Sequence, residues 1–177
     1  MNSEAWRRFS RAAWLLAALA TFPLALPAIA GAPRREPIRD LRAENASSED
    51  AVFVILFSLP DCTYCDSVRN AYLPGIEKDE RFRARVRVRE VVMDSERALI
   101  DLRGGRTTHA EFARSQGVRF APTVLFLDGS GRSLAEPLVG GDVSGFYGSY
   151  LDERMSQALA SVDSSEARGR PPPSNRR

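Results

Sequence analysis

One histidine and two cysteines are all that 177 residues supply of the softer metal ligands. A zinc or iron site built from several such ligands is therefore not expected, and two cysteines cannot make a disulfide framework. Net charge is scarce too, at +2 from 25 Lys+Arg and 23 Asp+Glu, and it sits at the ends. Arg7, Arg8 and Arg11 against Glu4 give residues 1–30 a charge of +2. Arg168, Arg170, Arg176 and Arg177 against Glu166 give residues 164–177 a charge of +3, which leaves −3 for residues 31–163. The body thus suggests no basic face, and no nucleic-acid partner is expected. The length suits a single domain.

The chain opens with an address. Three arginines precede an uncharged, Leu- and Ala-rich stretch that ends in Ala28-Ile29-Ala30, the small-x-small pattern of a cleavage site. Residues 1–30 therefore read as a secretory signal peptide. The alternative is an uncleaved inner-membrane anchor, which Pro23 and Pro27 would weaken. Both place the body in the periplasm, where two thiols can cycle or lock into a disulfide.

Residues 31–50 read as an N-terminal extension with a short helix near Asp40 to Ala46, and residues 51–163 as the domain. Ala51 to Phe57 is a continuous run of β-formers, the mark of a strand covered on both faces. Helical positions run from about Cys62 to Tyr72, and Pro74-Gly75 is expected to stop them. Arg85 to Arg89 alternates strictly and suggests a strand with one wet face. Ala98 to Thr107 reads as a small hairpin turning at Gly104-Gly105. Thr108 and Glu111 make a capping box for a helix ending at Gly117. His109, at its first turn, is expected on the surface. Thr123 to Leu127 is a second buried strand, with a further strand over Ser133 to Val139. Tyr147, Leu151, Met155, Ala158 and Val162 mark a closing amphipathic helix. Residues 164–177, with three consecutive prolines, read as a disordered tail.

The chemistry is concentrated in Cys62-Thr63-Tyr64-Cys65, directly after the buried strand and at a helix start. Two intervening residues in a first helical turn bring the sulfurs within reach of each other. Unpaired N–H groups and the helix dipole stabilise a thiolate at the first cysteine, the more exposed member. Three readings stand side by side: a redox dithiol, a static disulfide and a metal site. Zinc would need two more ligands, and Asp66 stands where haem attachment would require histidine.

Phe57 to Cys65, the Val118…Pro122-Thr123 segment and the Phe126-Leu127-Asp128-x-x-Gly131 turn follow one another in an order that resembles the thioredoxin superfamily. The similarity is greatest to exported bacterial thioredoxin-like proteins and covers about residues 51–162. It implies an α/β thioredoxin fold, a central mixed sheet flanked by helices. Whether the first strand of the full version is present stays open; without it, the Val86–Val92 strand lies at an edge. The resemblance further implies that Pro122 is cis and faces the cysteines, with Ala121 backbone pairing with substrate, and that Thr63, Tyr64, Ala121 and Pro122 line the groove. Two departures bear on the chemistry. Asp61 replaces the usual tryptophan before Cys62 and disfavours a thiolate there. Leu56 replaces the buried aspartate six residues before it, so another group must take the proton of Cys65, with Glu77 and Glu111 as stand-ins. Tyr64 before the second cysteine is similar to disulfide isomerases, but residues 31–50 are too few for their dimerisation domain.

The expected activity is periplasmic thiol–disulfide exchange with protein substrates, Cys62 as nucleophile and Cys65 as resolving thiol. No cofactor or metal is expected; a redox partner in the membrane or periplasm and a monomeric state are. The alternatives are a non-catalytic adaptor with a stable disulfide, and copper delivery through the cysteine pair.

Overall fold

A computed structural model describes residues 37–45 and 51–169. The leader assigned to 1–30 and residues 170–177 of the tail lie outside the described residues. No helix among the described residues is long and apolar enough to cross a membrane.

The continuous apolar run forms β1 (Val52–Ser58), buried at every residue. It sits inside a four-stranded sheet of order β2-β1-β5-β6. Strand β2 (Val86–Val92) runs parallel to it, β5 (Thr123–Leu127) antiparallel, and β6 (Leu138–Val139) antiparallel to β5. An inner strand with both faces covered must be apolar throughout. Val52, Val54 and Leu56 meet one half of the core, with Val68, Leu73, Ile76, Leu151 and Met155. Phe53, Ile55 and Phe57 meet the other, with Leu99, Phe112 and Leu125. Strand β2 closes one end of the sheet, as expected of a version without the first strand. Val86, Val88 and Val91 are buried while Arg87 and Arg89 stay half-exposed, and charge along an edge discourages pairing with another chain.

The helical segment differs from expectation. It begins as α2 (Thr63–Ser67), widens into a π-turn over Val68–Tyr72 and continues as α3 (Leu73–Lys78). Pro74-Gly75 does not stop it. Pro74 falls in the first turn of α3, where its missing N–H costs little, and Leu73 N–H reaches back to Val68 C=O. A short α4 (Glu80–Arg83) leads into β2.

The hairpin forms as expected from β3 (Ala98–Ile100) and β4 (Arg106–Thr108), with Gly104 at φ +87° in the turn. The Thr108–Glu111 capping box opens α5 (His109–Ser115), and Gly117 at φ +71° follows its end. The strand expected over Ser133 to Val139 shrinks to β6 and one bridge from Ser133 to Leu127. Pro137, which has no N–H for a ladder, interrupts it. The closing helix α6 (Tyr147–Gly169) continues past the boundary expected at 163. At the other end, α1 (Leu41–Asn45) belongs to the body: Leu41 is fully buried, and Ile100 N–H donates to Arg39 C=O at 2.9 Å.

His109 corrects its surface assignment, being only 1% exposed. Its Nδ1 accepts the Val92 N–H at 3.1 Å, which leaves Nε2 to donate to Ile38 C=O at 2.8 Å. The ring thus fastens the N-terminal segment to the end of β2. Burial holds it neutral, pushing its pKa below the ordinary 6.5 against the opposing pull of the Ile38 bond. The unfolded chain therefore takes up the proton first as pH falls, so this stability is complete above that ordinary value and is lost below it. His109→Gln can make both hydrogen bonds without titrating. Between about pH 7 and about pH 5 its melting temperature should fall less steeply than that of the wild type.

Candidate active site

Strand β1 delivers the chain to Leu59-Pro60-Asp61, and Asp61 takes the left-handed conformation at φ +53°. Among non-glycine residues Asp and Asn adopt that region most readily, because the short side chain can bond locally. The reversal sets Cys62 at the N-cap of α2, where its sulfur accepts the Cys65 N–H at 3.1 Å. Cys62 and Cys65 form a disulfide with Cα atoms 5.2 Å apart. Cys62 is half-buried; Cys65 is fully buried. One sulfur can be met from outside, and the other stands behind it. In the reduced form, the N–H aimed at Cys62 favours its thiolate.

The second part comes from the start of β5. Phe57 pairs with Thr123, so the residue before Thr123 lies at the sheet end where β1 releases the cysteines. That residue is Pro122, buried and joined to Ala121 by a cis peptide bond. Neither N–H nor C=O of Ala121 is hydrogen-bonded among the described residues. Thr63 and Tyr64 are exposed and Ala121 is half-exposed, so three of the four expected groove residues face solvent.

A third part was not read from the sequence: residues 140–146, between β6 and α6. Gly140 N–H donates to Pro122 C=O at 2.8 Å. Gly141 lies against Tyr64, so closely that a Cβ there would stand 2.7 Å from the ring. Adjacent residues of one loop therefore touch both the cysteine segment and the cis-proline segment. The only sequence signal was the pair of glycines with an aspartate after them.

Below the cysteines runs a buried charge network. Glu90 of β2 takes Arg69 Nε at 2.9 Å and Nη2 at 2.6 Å in a two-pronged pair, and the Ser58 hydroxyl donates to it at 2.5 Å. Arg69 also bonds Asp66. Ser58, Arg69 and Glu90 are each under a tenth exposed. Glu90 lies beside Leu56 in the strand register and is the only buried carboxylate among the described residues. The suggested stand-ins fall elsewhere: Glu111 serves the capping box, and Glu77 lies on α3. No group of three or more metal-ligating side chains occurs among the described residues. Removing one member of a buried pair strands the other charge. Glu90→Gln should therefore cost about 3 kcal/mol in chemical denaturation, the low end of the usual range because Asp66 still faces Arg69. Arg69→Met with Glu90→Leu should cost much less.

Residues 40–144 match the thioredoxin-like domain family. No curated protein matches the sequence. Among solved structures the chain is similar to a thioredoxin of Malassezia sympodialis, at 19% identity over 72% of this chain and 97% of that one, with a TM-score of 0.48. It is similar to the periplasmic thioredoxin SoxS of Paracoccus pantotrophus, at 20% identity over 60% and 98%, with a TM-score of 0.42. It is also similar to the C-terminal domain of DsbD from Neisseria meningitidis, at 15% identity over 67% and 99%, with a TM-score of 0.45. The family match spans more than half of the chain and takes in both cysteines and the cis-proline, so the protein belongs to the thioredoxin-like family.

Proposed function

We propose that the protein is a thiol–disulfide oxidoreductase that exchanges electron pairs with protein substrates through Cys62 and Cys65. The observation that carries this reading is the unequal exposure of the disulfide: a reachable Cys62 in front of a sealed Cys65, at the same end of the sheet as the unpaired Ala121 backbone. An extended substrate segment can use that backbone as a strand edge, with Thr63 and Tyr64 beside it.

Starting from the dithiol, the Cys62 thiolate attacks one sulfur of a substrate disulfide. The substrate S–S bond breaks, and its other sulfur leaves as a thiolate and takes a proton. Cys65 then loses its proton, attacks Cys62 Sγ and expels the second substrate thiolate. The substrate gains two electrons and two protons, and the Cys62–Cys65 disulfide re-forms. The reverse sequence oxidises a substrate dithiol. A redox partner in the membrane or periplasm resets the pair in either direction. The leader-like segment, residues 1–30, supports a periplasmic location, and the chain acts as a monomer.

Cys62→Ser should abolish exchange with a model protein disulfide. Cys65→Ser should instead accumulate mixed disulfides on Cys62, visible as reducible high-mass species and identifiable by mass spectrometry. The pair's reduction potential should lie above about −300 mV. A lower value, with no trapped species, would favour the adaptor reading with a permanent disulfide.

A further inference from the structure

One side chain, Asp142, braces the loop that touches Tyr64 and Pro122. Asp142 accepts backbone N–H groups from Ser144 at 3.2 Å and Gly145 at 2.6 Å, which folds the loop on itself. The backbone N–H of Tyr147, the first residue of α6, also favours the charged form of Asp142. Its remaining partner comes from outside the loop: the hydroxyl of Tyr72, the last residue of the π-turn, donates to Oδ2. The Tyr72 ring leans on Tyr147 with centroids 4.9 Å apart, which sets the direction of that hydroxyl. This single side-chain bond couples the helical segment that starts at Cys62 to the loop that touches Tyr64 and Pro122.

What the loop carries faces outward. Val143 is 87% exposed and Phe146 is 59% exposed, on the loop whose Gly141 meets Tyr64, itself 56% exposed. A small disulfide needs only the Cys62 sulfur. A polypeptide disulfide brings chain on both sides of its cysteine, and that chain must meet whatever wall stands beside Tyr64 and Pro122.

Resting on the exchange reading above, we propose that Tyr72 is a positioning residue for polypeptide substrates. Its hydroxyl, through Asp142, holds the Gly140–Phe146 loop as the third wall of the site, and Val143 and Phe146 are presented to the chain flanking the substrate cysteine. The bond acts on docking and leaves the sulfur chemistry alone, because Tyr72 lies about two turns beyond Cys65.

Tyr72→Phe is the clean variant, since it deletes one hydroxyl and leaves the backbone bonds of Asp142 in place. The assay uses the whole chain, with insulin as the polypeptide disulfide and dithiothreitol as its electron source; the small disulfide, dithionitrobenzoate, is added to pre-reduced protein freed of dithiothreitol. Tyr72→Phe should raise KM for insulin about three- to tenfold with kcat held, the size expected for one ordinary intramolecular hydrogen bond. The ratio of kcat/KM for insulin to that for dithionitrobenzoate should fall by the same factor. Gly141→Ala drives a Cβ into Tyr64 and displaces the same loop independently, so it should lower the same ratio; it decides the matter should Tyr72→Phe melt below the assay temperature. A wild-type ratio in a folded variant, or a loss in kcat shared by both disulfides, overturns the proposal while leaving exchange itself standing. A wild type inactive on both disulfides overturns the exchange reading and this one with it.

Discussion

The structure depends on one strand being dry on both faces. Every residue of β1 is buried, and each neighbour is placed by it: β2 on one side, β5 on the other, helices above and below. Burying side chains such as Phe53, Ile55 and Phe57 contributes about 1.5–3 kcal/mol each relative to exposure. That sum fixes the register, because a slip of one residue would exchange the two halves of the core. A fixed register then fixes the site. Phe57 opposite Thr123 means that the end of the buried strand before Cys62 and the first residue after Pro122 stand at the same end of the sheet. Neither cysteine nor proline needs a dedicated contact with the other to arrive there.

Polar groups caught beneath that end had to be satisfied, and they are. Ser58, Arg69 and Glu90 satisfy one another, and His109 uses both ring nitrogens on backbone. An unpaired group in such a place costs as much as several good contacts return. The outcome is a rigid floor. Arg69 lies one turn after Cys65 on the same helical segment, so the pair that neutralises Glu90 also anchors the helix carrying the cysteines to β2.

Much of this was legible, for reasons that particular residues make clear. The apolar runs at 52–58 and 123–127 could only be buried strands, and the Thr108–Glu111 box marked a helix start that the structure reproduces. Local signals of that kind act through neighbours in sequence. Failures came where a distant partner decided the outcome. Nothing near His109 announces that Ile38 and Val92 will enclose its ring. Glu90 reads as one more charge on an alternating strand until Arg69 arrives from another element. Pro74 reads as a stop unless the preceding turn is known to be wound at i→i+5. The loop at 140–146 was invisible as part of the site because its role comes from Gly141 meeting Tyr64, a contact between residues far apart in the chain.

Unequal exposure of the two sulfurs imposes an order on any exchange. A polypeptide cannot reach Cys65, which is fully buried, so the intermolecular bond must form on Cys62. Cys65 then need only displace a partner already held at the adjacent sulfur. Geometry makes that second step intramolecular, and effective concentration does the rest: two sulfurs held one helical turn apart react far faster than two in solution. In the proposed exchange, the substrate chain meets a surface that takes no part in the electron transfer. On the proposed reading, sulfur chemistry and substrate choice fall to different residues, the first to a capped helix start and the second to the unpaired backbone at Ala121 and the walls around it. A family sharing one pair of cysteines can consequently change its partners by altering a loop, without disturbing the strand and register on which the cysteines depend.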